Sequence, residues 1–261
     1  MPELPDLTIF ARNLNKQILN RPIVSVAIPP AAKLNVPSSF FIDGVKGASI
    51  TDVRREGKEL FFSLSNGNAF SAHLMLNGKL ALLPPGQSDK ARGLVATLTF
   101  EDGGTFSISD WQGMCKVALN PKLSKTPDAM SERFTREYFI GTLGKNPLKN
   151  IKALLIDQHI IKGIGNAYAD EILWKADISP SSLAGRIPGA AADELYAAIG
   201  DVLNDAIENI LRISPDIISG EERSFLRVHN KNRKTSEDGE PIVIETIAGK
   251  TTYYTKKQRL F

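Results

Sequence analysis

Lys162-Gly163-Ile164-Gly165-Asn166-Ala167-Tyr168-Ala169-Asp170-Glu171-Ile172-Leu173 is the stretch on which the reading of this chain turns. Two glycines one residue apart make a tight turn whose backbone can come close to another group. From Asn166 onward the pattern is helical. The positive end of a helix dipole therefore faces whatever the turn approaches. A phosphate suits that position, with Gly165 giving close backbone access and Asn166 offering its side-chain amide. The same residues also suit a plain helix–helix turn with an N-cap and no ligand.

Around this stretch the pattern stays helical from about residue 131 to 212. Leu195, Ile199, Val202, Leu203, Ala206 and Ile210 supply one clear apolar face. Further on, Ile242 to Ile247, a turn at Ala248-Gly249 and Thr251 to Thr255 read as a β-hairpin. Upstream, Lys122 to Asp128 is polar and reads as a linker. Residues 22 to about 120 hold short β-type runs such as Ile23-Val24-Ser25-Val26, Leu60-Phe61-Phe62-Ser63-Leu64 and Leu94-Val95-Ala96-Thr97-Leu98. Asn66-Gly67, Asn77-Gly78 and Asp102-Gly103-Gly104 separate them as turns, and a β-sandwich or barrel follows. At the amino end, Leu7, Phe10, Leu14 and Ile18 recur at helical spacing, with Pro5 and Asp6 in the first turn. The expectation is an α+β protein in three parts. Residues 1–125 form an N-terminal helix and β-sandwich, 131–225 a helical domain, and 226–261 a hairpin.

Composition bounds the function. The 261 residues are 42% hydrophobic and 23% charged, an ordinary globular mixture. No apolar run approaches a membrane span, and residues 1–25 lack the pattern of a secretory signal. One cysteine, Cys115, excludes an internal disulfide and suits a reducing cytoplasm; a small buried apolar role is expected for it. Net charge is +3, but Arg223 to Phe261 carries nine Lys+Arg against four Asp+Glu, so the excess sits in the tail. A basic tail fits a nucleic-acid surface and equally a solvated face.

The first residues, Met1-Pro2-Glu3, suggest chemistry. A terminal secondary amine that attacks a sugar carbon yields an iminium, a permanent cation that weakens neighbouring C–H and C–O bonds. An α-amine has a pKa near 8, so about a tenth is free base at neutral pH. Glu3 stands ready to move protons. The plainer reading is that Pro2 only permits removal of Met1.

Met1-Pro2-Glu3-Leu4-Pro5-Asp6 resembles the opening of the formamidopyrimidine-DNA glycosylase family, whose mature chains begin Pro-Glu-Leu-Pro-Glu. Three further matches follow in order. Arg55-Glu56-Gly57-Lys58-Glu59-Leu60 is similar to the strand segment with the family's internal catalytic lysine. Leu143-Gly144-Lys145-Asn146-Pro147-Leu148 is similar to the entry of its helical domain. Residues 162–173 are similar to its helix-two-turns-helix DNA-binding motif; a similar turn also occurs in some RNA-binding and topoisomerase proteins. The resemblance implies that Pro2 attacks C1′ and displaces the base, that Glu3 moves protons on the sugar ring, and that Lys58 holds a phosphate beside the lesion. Asp6 stands where the family has Glu, one methylene shorter in a proton relay. Ala72-His73-Leu74-Met75-Leu76-Asn77-Gly78 resembles the family's loop that fills the gap left by a flipped base, with Leu76 or Met75 as the wedge and His73 structural.

The chain also departs from the family. Most members carry a four-cysteine zinc finger; here Cys115 and three histidines, His73, His159 and His229, offer no such set in the tail. The resemblance therefore implies a zincless finger, held by β pairing and by packing of Ile242, Ile244, Ile247, Tyr253 and Tyr254. Lys250 takes the place of a phosphate-binding arginine at the hairpin turn, without the bidentate fork. Asp110-Trp111-Gln112-Gly113-Met114 replaces Asp-Pro-Arg-Arg-Phe, with Gln112 left to read a base and Met114 to intercalate. The segment between about Ile213 and Leu226 is short for a loop that covers an oxidised guanine.

Together these imply a bifunctional DNA glycosylase and abasic-site lyase acting on damaged duplex DNA, bent in an interdomain cleft with one nucleotide flipped out. It is expected to act as a monomer without cofactor or metal, off the membrane, in the bacterial cytoplasm at the nucleoid. Two rivals remain open. One is a non-catalytic reader of damaged DNA on the same scaffold. The other is an RNA-binding module built on the Gly-Ile-Gly-Asn turn.

Overall fold

The computed structural model describes residues 1–261. It is the expected mixed fold: an N-terminal helix, a β-sandwich, a helical region and a C-terminal hairpin. The chain divides into two compact units. One comprises Met1–Pro2, Asp6–Leu123 and Ile213–Glu221; the other comprises Glu3–Pro5, Ser124–Arg212 and Glu222–Phe261. The hairpin tail thus falls in the same unit as the helices, and residues 213–221 fall with the sandwich. No helix is long and apolar enough to cross a membrane.

From Asp6 onward α1 (Leu4–Ile18) belongs to the first unit, where it buries Leu7, Phe10, Leu14 and Ile18 completely, as their spacing requires. Each such side chain contributes about 1.5–3 kcal/mol on burial. One sheet has the order β1 (Ile23–Ala27), β7 (Leu94–Phe100), β8 (Thr105–Ser109), β6 (Lys79–Leu83), antiparallel throughout. The other has the order β2 (Lys33–Leu34), β9 (Lys116–Leu119), β5 (Ala69–His73), β4 (Glu59–Leu64), β3 (Ile50–Glu56), with only β2 and β9 parallel. Phe62 stacks on its register partner Phe70, ring centroids 4.4 Å apart, and meets Phe106 of the other sheet at 5.6 Å. These aromatic contacts join the two layers. Asn15 of α1 donates to the Val53 carbonyl at 2.6 Å and accepts from the Val53 amide at 2.8 Å, which fixes the helix to edge strand β3.

A second helix, α2 (Ser38–Val45), interrupts the region read as β alone. Its Phe40-Phe41-Ile42 core has strand-like propensity, and tertiary burial of Phe41 and Val45 overrides it. Asn13, 1% exposed, donates to the carbonyls of Pro215 (2.9 Å) and Ile217 (2.8 Å), tying residues 213–221 to this unit.

The second unit packs α3 (Arg136–Lys145), α4 (Ile151–Leu155), α5 (Asn166–Lys175) and α6 (Gly189–Ile213) around Leu4, Tyr168, Ile172, Leu195 and Ile199. Thr135 caps α3 by accepting from the Tyr138 amide at 3.1 Å. On α6 the expected apolar face is buried except Val202, which is half-buried. The hairpin pairs β10 (Ile242–Ile247) with β11 (Lys250–Thr255). Its turn has φ +52° at Ala248 and +70° at Gly249, the pair of positive angles that a type I′ turn needs.

Candidate functional site

The Gly-Ile-Gly-Asn turn is explained by its two neighbours in the second unit. The Leu4 amide donates to the Gly163 carbonyl at 3.2 Å, and Gly163 has φ +100°. A methyl group there would lie 2.5 Å from a Leu4 methyl carbon. At Gly165 it would lie 2.3 Å from Cδ of Glu3. The Glu3 carboxylate accepts from the Gly165 amide at 2.7 Å and the Ala167 amide at 3.0 Å, and is only 4% exposed. An anion does sit at the positive end of α5, as the glycine pattern suggested, but it is the chain's own Glu3. The Gly165 amide that the sequence turned toward a phosphate is directed to this carboxylate.

In the first unit, Pro2 is buried, and the Met1 amino group pairs with Glu221. Asp6 is also buried, in the first turn of α1. Lys58 lies not within a strand but in the two-residue turn between β3 and β4, after Gly57 at φ +60°. A turn lysine is normally solvated, yet Lys58 is 8% exposed. Arg55 stiffens this turn, donating to the Thr8 hydroxyl at 2.9 Å and the Gly57 carbonyl at 3.2 Å. Burial holds the His73 ring below its ordinary value of 6.5; Glu59 opposes this, and Lys58 and Lys116 reinforce it. The neutral ring accepts the Met75 amide at 3.1 Å, which supports Met75 at φ +53°.

The predicted wedge residues lie on two linked loops. Asn77 donates to the side-chain carbonyl of Gln112 at 2.6 Å. Leu76 is 56% exposed, whereas Met114 is half-buried. Buried Asp110 organises the second loop, accepting from the amides of Gln112 (3.0 Å), Met114 (2.7 Å) and Cys115 (2.8 Å). This loop displays Trp111, 58% exposed, which the sequence reading passed over. The signal available was an indole directly after the Asp that follows strand β8. Cys115 is buried, and burial pushes its thiol up to about 12.

In the second unit, Lys250 is exposed at the hairpin turn, and the three residues after it are anchored. Asn166 donates to the Thr251 carbonyl at 2.8 Å. Lys152 donates to the Thr252 hydroxyl at 2.6 Å. The Tyr253 amide donates to Asp170 at 3.0 Å. Asp170 and Lys152 form an ion pair at 2.7 Å with both side chains wholly buried, and His229 Nδ1 meets Asp170 at 2.7 Å. Burial pulls the Lys152 ammonium below its ordinary range, against the opposing attraction of Asp170. Glu171 accepts three successive amides, from Arg227 (2.9 Å), Val228 (2.8 Å) and His229 (2.7 Å). Packing of Ile244, expected to hold the hairpin, is not made: that side chain is 53% exposed. Ile242, Ile247, Tyr253 and Tyr254 are half-buried, the Tyr253 ring lying 4.6 Å from that of His229, and polar brackets from α4 and α5 add to this packing. The tail does not fit a four-ligand zinc site. It contains no cysteine, and Nδ1 of its one histidine is engaged by Asp170.

Comparison with known proteins follows the same division. Residues 1–117 match the formamidopyrimidine-DNA glycosylase N-terminal domain, and residues 126–214 match the formamidopyrimidine-DNA glycosylase H2TH domain. The formamidopyrimidine-DNA glycosylase of Carboxydothermus hydrogenoformans is 34% identical over 263 residues, covering 97% of this chain and 98% of the relative. That of Pelotomaculum thermopropionicum is 30% identical over 272 residues, covering 97% of each. Among solved structures, the Lactococcus lactis Fpg in complex with abasic-site DNA superposes with a TM-score of 0.86 at 24% identity. The match covers 97% of this chain and 98% of that one.

Three outcomes follow from this geometry. Gly165→Ala forces a methyl group into the Glu3 carboxylate and is expected to cost about 1–3 kcal/mol in urea unfolding. An unchanged midpoint would mean that Glu3 is not held there. Asp170→Asn strips the partner from buried Lys152 and is expected to cost about 3–5 kcal/mol. Hydrogen exchange at Tyr253 should rise in this variant before that of the sandwich strands. His73 has a folded pKa below its unfolded value, so its contribution is complete above about pH 6.5 and is lost as pH falls from there. Exchange of the Met75 amide, corrected for intrinsic rate, should therefore increase between pH 7 and pH 5; a flat profile would refute the neutral-acceptor role.

Proposed function

This chain belongs to the formamidopyrimidine-DNA glycosylase family, and from that premise we propose that it is a DNA glycosylase with abasic-site lyase activity. It excises oxidised bases from duplex DNA in base excision repair, through an iminium on Pro2. The observation that carries this reading is the fixing of Glu3 by the Gly165 and Ala167 amides. A carboxylate adjacent in the chain to Pro2 is thereby held in one orientation.

The reaction starts from a chain without Met1, in which the Pro2 nitrogen is a secondary amine. Its lone pair attacks C1′ of the damaged nucleotide. A C1′–N bond forms, and the base leaves with the electron pair of the glycosidic bond and takes up a proton. The N–H proton of Pro2 passes to Glu3 and on to O4′ as the C1′–O4′ bond opens, leaving C1′=N⁺. The cation acidifies the C2′ hydrogen. Loss of that proton expels the 3′ oxygen with its phosphate and cuts the strand.

Lys58 holds a phosphate beside the lesion, and Asp6 relays protons at shorter reach than Glu. Leu76, with Met75 beside it, fills the space left by the flipped nucleotide. Gln112 and Met114 meet the opposite strand. Lys250 binds a backbone phosphate, and Asn166 does so with the amide hydrogen that Thr251 does not take. The partner is damaged double-stranded DNA, bound by a monomer without cofactor.

With Met1 attached, the Pro2 nitrogen is an amide without a nucleophilic lone pair, which favours a second reading for any chain that keeps Met1: binding of damaged DNA without cutting. Borohydride reduction of Met1-free protein mixed with an abasic duplex tests the first. A covalent protein–DNA adduct is expected. Glu3→Gln should lower its rate by about 10²–10⁴-fold, and Pro2→Gly should keep part of it. Tight binding with no adduct from Met1-free protein would instead establish the non-catalytic reading.

A further inference from the structure

We infer that Glu221 is the counter-ion of the Pro2 nitrogen, pairing with its ammonium before reaction and with its iminium afterwards. The inference rests on the proposed role of Pro2. Its starting observation is the ion pair between the Met1 amino group and the Glu221 carboxylate, whose side chains are 28% and 34% exposed.

The carboxylate is carried on a fastened segment. Residues 213–221 belong to the same unit as Met1–Pro2. Asn13 donates to the carbonyls of Pro215 and Ile217, and the Ser219 hydroxyl accepts the Leu80 amide at 3.1 Å. Ile217 and Ile218 pack against the sandwich core. The Pro2 nitrogen lies one residue from the amine that Glu221 now grips. Consecutive α-carbons are about 3.8 Å apart, well within the span of a glutamate side chain. Removal of Met1 transfers the terminal charge to Pro2, within reach of the same carboxylate.

Two effects of opposite sign follow. Before reaction, a nearby carboxylate favours the ammonium and so depletes the free amine. Once the C1′–N bond has formed, the nitrogen is cationic whatever the pH, and the same carboxylate stabilises the intermediate. Glu3 is directed to the Gly165 and Ala167 amides, so the two carboxylates divide the work. Glu3 moves protons, and Glu221 balances charge.

The test compares Met1-free parent, Glu221→Gln and Glu221→Asp, with each terminus verified by mass spectrometry and each fold by its thermal midpoint. The first readout is carbamylation of the Pro2 amine by cyanate at pH 7.5 without DNA, followed on the N-terminal peptide. Glu221→Gln should react about fourfold faster, as the amine loses the partner that keeps it protonated. The second is the borohydride adduct with an abasic duplex, which should fall about tenfold in Glu221→Gln. Glu221→Asp should recover most of both. A merely structural role would not raise one rate and lower the other. Unchanged carbamylation in Glu221→Gln overturns the assignment. Faster carbamylation with an undiminished adduct overturns its iminium half. Faster carbamylation with no adduct from any protein, parent included, supports the pairing and refutes the lyase reading instead.

Discussion

A carboxylate at the amino end of a helix is the constraint from which the rest of the second unit is read. Glu3 reaches the first turn of α5 and takes the amides of Gly165 and Ala167. Those donors would otherwise be orphans at the helix terminus. The interaction joins residues 162 positions apart in the chain. It explains why side chains are excluded at 163 and 165, where Leu4 and Glu3 occupy the space a Cβ would need. One contact therefore determines the glycines of the turn, the entry of α1 and the orientation of a candidate proton carrier.

The tail is organised by a second pair of carboxylates, neighbours on α5. Asp170 binds the hairpin through Tyr253 and is neutralised by Lys152, while Glu171 gathers the incoming strand at residues 227–229. Burial holds the Glu171 carboxyl above its ordinary range, and the three amides oppose this in part. Such groups are costly to bury unless fully partnered, and removal of any one partner is penalised. That penalty gives the hairpin a single seat, which brings Lys250 to a defined place beside Asn166. Apolar packing plays a smaller part here than in α6, because β10 presents Ile244 to solvent.

Much of this was legible before any coordinates. The helical spacing of Leu7, Phe10, Leu14 and Ile18 and the Ala248-Gly249 turn both reflect local rules, and local rules survive folding. So did the association of Pro2, Glu3 and the glycine turn with one family. What escaped the sequence was long-range. Nothing in the spacing says that the ligand of Gly165 is Glu3, or that polar brackets from α4 and α5 join apolar packing in seating the hairpin. α2 escaped because Phe40-Phe41-Ile42 favours a strand locally and only the surrounding core decides otherwise. Trp111 escaped because exposure is not written in residue type.

The sulfur chemistry of this fold is nearly silent. In these 261 residues the one thiol, Cys115, lies in the core with its ionisation deferred to about 12, so thiolate is scarce at neutral pH. The polar contacts that seat the hairpin on α4 and α5 are made by oxygen and nitrogen atoms, with no sulfur among them. Oxidants attack thiolates first, and a finger clamped by them is liable to lose its metal and its shape. A tail pinned through Asp170, Lys152 and His229 offers no thiolate for such attack.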